Sequence, residues 1–460
     1  MNEYDKEKFI NEFSKALIKG KGTLFIGSGV SRKAGYAGWK DILKEVAKEI
    51  GLDVDKEQDL ISLAHYYVLE KQRTGINQAI KEFFNDRKGI PQNIHSIITS
   101  LPINEIWTTN YDTLIERSYQ QRKIPVTIIT NDKSYNDLDP DAKVKIYKIH
   151  GTVTNVEKCI ITRDDYDKFE LNNDIVLSQL KASMCAKSFL FLGYSFSDTD
   201  IQHILFKIRL AYLNSHPQRH YCIVKKVNSE EYETDEDYQY ALNKQKHYIN
   251  DMQQYGINII LVDSYDEIDS IMFEIRNKIY CKNILISGSY DDKTKDKEKI
   301  SMFTQKLACE LIRNDYKIFT GFGENLGADI VSGVFEGCTL NEKKFEENVY
   351  IYPFPYRTRL TQSVKNLYGK IRSNMVDKTK IHIIICGEKN NHDSNGVYEE
   401  YLLSKQANNL IIPIAISGGT ALKIWKENQE SLQSSFVNQL NSNTDDLIEL
   451  IIKYINGRIK

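Results

Sequence analysis

Short apolar runs alternate with stretches of helical period along the whole chain. Thr23–Ile26, Ile103–Trp107, Val144–Ile149, Phe189–Leu192, His220–Val224 and Asn258–Val262 predict one set of strands. Asn283–Ile286, Lys317–Thr320, Val349–Tyr352, Ile381–Ile385 and Leu410–Ile414 predict a second. Several place apolar residues at consecutive positions, as strands covered on both faces do. Between them, Lys6–Ile18, Trp39–Ile50, Asp174–Met184, Lys297–Arg313 and Val397–Ala407 repeat apolar residues at helical spacing. Such alternation predicts parallel sheets with helices on both sides, an α/β fold. The pattern Ile268–Ile279 reads as a closing helix, and Asn283-Ile-Leu-Ile-Ser-Gly-Ser opens a fresh strand and turn. Two Rossmann-like, doubly wound parallel-sheet domains are therefore expected, residues 1–281 and 282–460. The charged stretch Asn228–Asn250 reads as a solvated surface helix or insertion.

Composition narrows the function classes. A chain of 460 residues exceeds what one hydrophobic core supports, which agrees with two domains. A net charge of −2 gives no global basic field to gather nucleic acid or an anionic membrane. The seven cysteines are widely spaced and form no Cys-x-x-Cys pair, which argues against a disulfide framework or a cysteine-ligated zinc. The opening residues lack the basic and apolar regions of a signal peptide, and runs such as Ile381–Cys386 are too short to span a bilayer. A cytoplasmic protein without membrane or nucleic-acid partners is expected.

The candidate chemistry lies at strand ends. The first strand runs into Gly27-Ser28-Gly29-Val30-Ser31, a turn that lets backbone amides approach a pyrophosphate but by itself fits any tight turn. Thr108-Thr109-Asn110-Tyr111-Asp112 follows the strand Ile103–Trp107, and His150-Gly151 follows Val144–Ile149. Open α/β sheets bind ligands at such carboxyl ends. Asp112 also suits the cap of a helix over Thr113–Gln120.

In this order and spacing the three motifs resemble the sirtuin family over roughly residues 10–265. The glycine turn with Ser31 is similar to the family's Gly-Ala-Gly-x-Ser, Thr109-Asn110-Tyr111-Asp112 to its Gln-Asn-Ile-Asp, and Ile149-His150-Gly151 to its Leu-His-Gly. The resemblance implies that Gly27, Ser28, Gly29 and Ser31 hold the phosphates of NAD. It implies further that Asn110 binds the nicotinamide ribose and its attacking water, that Asp112 supports the site, and that His150 is the general base. Gly193-Tyr194-Ser195-Phe196-Ser197-Asp198 resembles the glycine–serine loop of bacterial sirtuin-like defence proteins, and Gly193 and Ser195 are expected to close over the adenosine side. Two departures matter. The paired Cys-x-x-Cys zinc ligands of the protein deacylases are absent, and their Gly-Ile-Pro-Asp-Phe-Arg is replaced by Gly35-Tyr36-Ala37-Gly38-Trp39-Lys40. Both point to water as the acceptor, with NAD as substrate and neither cofactor nor metal.

In the second half, Ile286-Ser287-Gly288-Ser289, Gly321-Phe322-Gly323-Glu324-Asn325-Leu326-Gly327 and Ser417-Gly418-Gly419-Thr420 each follow a strand, as a nucleotide-binding rim would require. The set resembles the SLOG superfamily. Its Gly-Gly-x-Gly-Thr-x-x-Glu segment and upstream Arg have counterparts in Gly396-Val397-Tyr398-Glu399-Glu400 and Arg372. Here Asp393-Ser394-Asn395 stands where the glycine pair and threonine would be, which favours binding over phosphoribohydrolase chemistry. Ser287, Gly288, Ser289, Gly323, Glu324, Arg372, Lys389 and Glu400 are the expected nucleotide contacts. A sirtuin-like domain followed by a SLOG domain resembles the NAD-cleaving effectors of bacterial Thoeris anti-phage systems. That resemblance implies activation by a cyclic ADP-ribose isomer made by a partner TIR-domain protein, tetramers or larger homo-oligomers, and NAD depletion. A sirtuin-type NAD-dependent protein deacylase and a non-catalytic nucleotide sensor or scaffold are the alternatives.

Overall fold

The computed structural model describes residues 5–36, 38–84, 89–196, 199–212, 218–354, 361–390, 392–428 and 444–458. Ala37 of the substituted sirtuin motif, and Ser197 and Asp198 of the glycine–serine loop, lie outside the described residues. The chain divides into two compact units, residues 1–279 and 280–460.

The first unit is built on seven strands: β1 (Gly22–Ile26), β2 (Glu105–Thr108), β3 (Val126–Ile129), β4 (Val144–Lys148), β5 (Ser188–Leu192), β6 (His220–Lys225) and β7 (Ile257–Val262). All pair in parallel, in the order β3-β4-β2-β1-β5-β6-β7. Every residue of β1 and β5 is buried, as their unbroken apolar runs require of central strands. The strand order reverses beside β1: β2 lies on one side and β5 on the other, which opens a crevice at the carboxyl ends. Helices Trp39–Glu49, Leu60–Lys71 and Arg73–Phe83 lie between β1 and β2 and share a small core with Tyr111, Val156 and Ile161. The charged stretch forms the helix Asp235–Gln254, mostly exposed, with Gln245, Ile249 and Met252 buried.

β3 is absent from the predicted set. It is an edge strand with alternating exposure, so the continuous apolar signal of its neighbours is missing. Pro125 directly before it adds a breaker.

The second unit holds a five-stranded parallel sheet from β8 (Asn283–Ser289), β9 (Lys317–Thr320), β10 (Val349–Ile351), β11 (Ile381–Cys386) and β14 (Leu410–Ile414), ordered β10-β9-β8-β11-β14. In the unit's own count this is 3-2-1-4-5, the doubly wound arrangement. Two-residue strands β12 (Glu388–Lys389) and β13 (His392–Asp393) form a separate antiparallel pair after β11. Helices Lys297–Arg313 and Leu326–Leu340 pack closely because Gly333 and Gly337 lie against the first helix's backbone, where a Cβ would come within 2.1 and 2.9 Å of carbonyl oxygens. Among the described residues no helix is long and apolar enough to cross a membrane.

Candidate active site

The turn after β1 starts with Gly27 in extended conformation, tightens into the 3₁₀ helix Ser28–Ala34 and ends at Gly35, φ +91°. Its amides continue the sheet ladder: Gly27 donates to the Leu192 carbonyl at 2.8 Å and Gly29 to the Gly193 carbonyl at 3.0 Å. The turn therefore lies directly against the loop after β5. A Cβ on Gly27 would sit 2.4 Å from the Gly193 oxygen, and one on Gly29 2.7 Å from the Gly193 Cα.

From the next strand, Thr108 donates to the Ile26 carbonyl at 2.8 Å and accepts from the Asn110 amide at 3.0 Å, which bends the chain toward β1. The Asn110 carboxamide then donates to the Gly27 carbonyl at 3.1 Å and to the Ser31 hydroxyl at 3.3 Å. Asp112 accepts from the Ser31 hydroxyl at 2.7 Å and from the Leu114 amide, at the start of the helix Leu114–Gln121, at 3.0 Å. His150 is buried, with its ring set edge-on to Tyr166 and Phe169 at centroid distances of 5.6 and 5.7 Å. Gly151, φ +95°, turns the chain there with Cys159 backbone too close for a side chain.

These elements enclose a cavity of about 490 Å³. Ser28, Ser31, Asn110, Asp112, His150, Gly193 and Ser195 all line it, so seven expected NAD-site residues from four strand ends meet there. Gly27 and Gly29 are not in the lining; they lie behind it, in the contact with the β5 loop. The outer wall comes from the inserted helices, with Trp39, Ile42, Leu60 and Phe84 giving an apolar lobe and Asp59 a carboxylate. Asp59 also caps its own helix through the Ser62 amide at 3.0 Å, and the Ser62 hydroxyl beside it holds its carboxyl below the usual range.

In the second unit the eight expected contacts form two groups. Ser287, Glu400 and Arg372 make a largely buried cluster: the Ser287 hydroxyl donates to Glu400, and Arg372 lies 3.6 Å from Glu400 and 2.6 Å from Glu399. The Arg372 guanidinium also lies over the Phe354 ring at 4.9 Å. Burial pushes the Glu400 carboxyl up, opposed by Ser287 and Arg372. Ser289, Gly323, Glu324 and Lys389 gather at the carboxyl end of β8, where Lys389 pairs with Glu324 at 2.8 Å and Ser289 donates to the Glu388 carbonyl at 3.3 Å. Gly288 fits between, because a Cβ there would lie 1.9 Å from the Ile385 oxygen. A nearby surface cavity of about 480 Å³, lined by Glu388, His392, Lys423 and Lys426 among others, contains none of the eight.

Comparison with known proteins identifies the family of each unit. Residues 104–249 match the family described as SIR2-like domain, and residues 267–456 the Sir2- and TIR-associating SLOG family. The chain is 35% identical to NAD(+) hydrolase ThsA of Enterococcus faecium, over 98% of this chain and 99% of that protein. It is 31% identical to NAD(+) hydrolase ThsA of Bacillus cereus (strain MSX-D12), with 98% of each covered. The chain belongs to the ThsA family. The two Rossmann-like sheets of this ThsA-family chain thus correspond to a SIR2-like and a SLOG domain.

Several residues of the two ThsA-family units carried no legible signal. Lys148 and Glu116, which no sequence motif singles out, form a buried pair 2.8 Å apart behind Asp112. His382 is fully buried in β11 and lies 2.7 Å from the Ser287 hydroxyl; burial lowers it to about 3, so it is neutral there. Trp39 was visible only as a departure from the sirtuin motif, and the structure places it in the cavity wall.

Proposed function

We propose that the protein hydrolyses NAD at the nicotinamide–ribose bond, giving nicotinamide and ADP-ribose, in the cavity of the first unit. The observation that carries this reading is the meeting of Asn110, Asp112 and His150 in one pocket with the glycine–serine turns of β1 and β5. Full-length similarity to proteins named NAD(+) hydrolase supports it.

The chemistry needs little. Nicotinamide in NAD is a pyridinium, so it leaves with the bonding electron pair as a neutral base and requires no proton donor. The demands are to stabilise the positive ribose left behind and to deliver water to it. Asp112 supplies a fixed negative charge held by Ser31 and the Leu114 amide. The Asn110 NH₂ is committed to Gly27 and Ser31, which directs its carbonyl oxygen to a ribose hydroxyl or the attacking water. His150 takes the proton that water loses as the new C–O bond forms. Ser28, Ser31, Gly193 and Ser195 hold the remainder of NAD, and Gly27 and Gly29 permit the approach of the two turns. The deciding experiment is nicotinamide release from NAD by purified protein; turnover that depends on an acyl-lysine peptide would overturn hydrolysis as the reaction.

No metal takes part in this scheme. Activity is expected to be unchanged after EDTA treatment and dialysis. Loss of activity that added Zn²⁺ restores would refute a metal-free site.

The second unit is proposed to bind a cyclic ADP-ribose isomer, made by a partner TIR-domain protein, that switches on the first unit within a tetramer or larger assembly. The family description, which joins Sir2 and TIR to the SLOG fold, supports this. Arg372 and Lys389 would meet its phosphates after exchanging Glu399 and Glu324 for them. The Lys389 pair is half-exposed and so costs little to open. Arg372→Ala and Lys389→Ala are each expected to weaken nucleotide binding by about ten- to a hundredfold, the worth of one charge-assisted phosphate contact. Calorimetry giving wild-type affinity in both would remove these residues from the site.

A further inference from the structure

Lys148 is the last residue of β4, two positions before His150, and it is 1% exposed. A lysine there is costly to bury unless its charge is matched and its protons are accepted. Both conditions are met across the neighbouring strand. Its ammonium lies 2.8 Å from the Glu116 carboxylate, itself only 11% exposed, and donates to the main-chain carbonyl of Asp112. Among the described residues the Glu116 oxygens have no partner besides Lys148, so the lysine charge is what offsets their burial.

The contact joins two loops that the sheet alone leaves independent beyond its edge. β2 and β4 pair up to Thr108 and Lys148; past that register Asn110 and Asp112 leave on one loop and His150 on the other. Backbone bonds from Ile149 to Thr108 and from Val153 to Tyr111 bracket the gap. The Lys148 ammonium adds a bond to the Asp112 carbonyl, one residue beyond Tyr111. The pair with Glu116 is neutral overall.

We propose that Lys148 is a positioning residue for NAD cleavage, holding the loop of Asn110 and Asp112 in register with His150 through the Asp112 carbonyl. This rests on the catalytic reading above. A displacement of about 1 Å between reacting groups costs on the order of a hundredfold in rate. The role is one of geometry in the reacting complex, so kcat carries the loss and KM for NAD does not.

The test compares wild type, Lys148→Met and the double variant Lys148→Met/Glu116→Gln by steady-state kinetics and thermal melting. Lys148→Met leaves Glu116 buried and unpaired, so it is expected to lower both Tm and kcat, the latter by about a hundredfold with KM nearly unchanged. The double variant restores the wild-type net charge and is expected to recover most of the Tm while kcat stays low. If the single variant does not fold, the double variant alone decides. Recovery of kcat together with Tm in the double variant would show that the pair supports only the fold, and would overturn the proposal. So would a single variant of wild-type kcat. A wild-type protein that leaves NAD intact overturns the catalytic reading beneath it, and is told apart because it needs no variant.

Discussion

Alanine in place of Asn110 or His150 is expected to lower NAD turnover by about 10²–10⁴-fold, the usual worth of a positioned acid–base or polarising group. The two variants should fail differently. Asn110 binds the β1 turn through its NH₂, so Asn110→Ala also removes one bond from the Gly27 carbonyl and one from the Ser31 hydroxyl. Part of its loss should appear in KM. His150 is placed as the general base that acts on the attacking water, so the loss in His150→Ala should fall on kcat while NAD binding is kept. Nicotinamide release under saturating NAD, beside calorimetry of NAD binding, separates the two. Turnover within a few-fold of wild type in either variant would remove that residue from the mechanism.

How much of this could be read beforehand follows from how far apart the contributing residues lie. The strand-end motifs were legible because each is a local feature: an apolar run, then polar or glycine residues where a parallel strand must end. The sheet did the rest by placing β1, β2, β4 and β5 so that Ser28, Asn110, His150 and Ser195 open on one cavity. Contacts between distant turns were not legible. Gly27 and Gly29 suggested amides offered to phosphate, whereas both amides are bonded to β5 and its loop, more than 160 residues away. The pairing of Lys148 with Glu116 was not legible because nothing local marks either as the other's partner. In the second unit Ser287 and Glu400 were expected nucleotide contacts, and what the sequence did not show is that their side chains meet each other and His382 inside the domain.

The glycine contact yields the other large effect. Gly27→Ala is expected to lower kcat/KM for NAD by about a hundredfold or more, since the atoms a new methyl meets cannot rotate away. They are the Gly193 oxygen at 2.4 Å, the Tyr194 Cα at 2.7 Å and the Gly193 carbonyl carbon at 2.8 Å, all backbone. Gly193 cannot easily adjust either, because it holds φ +61° and lies against the Val30 amide and Gly29. Relief must come from separating the β1 turn from the β5 loop, which moves Ser28 and Ser31 away from Gly193 and Ser195 across the cavity. The same exchange at Gly369 should act in the opposite sense. That glycine is in the exposed helix Gln362–Asp377 with open space around it, so Gly369→Ala should stabilise by about 0.5–1 kcal/mol and leave turnover alone. Melting curves and NAD turnover of both variants check the pair. If Gly27→Ala keeps wild-type kcat/KM, the two turns are not held together for NAD, and the glycines there serve the fold alone.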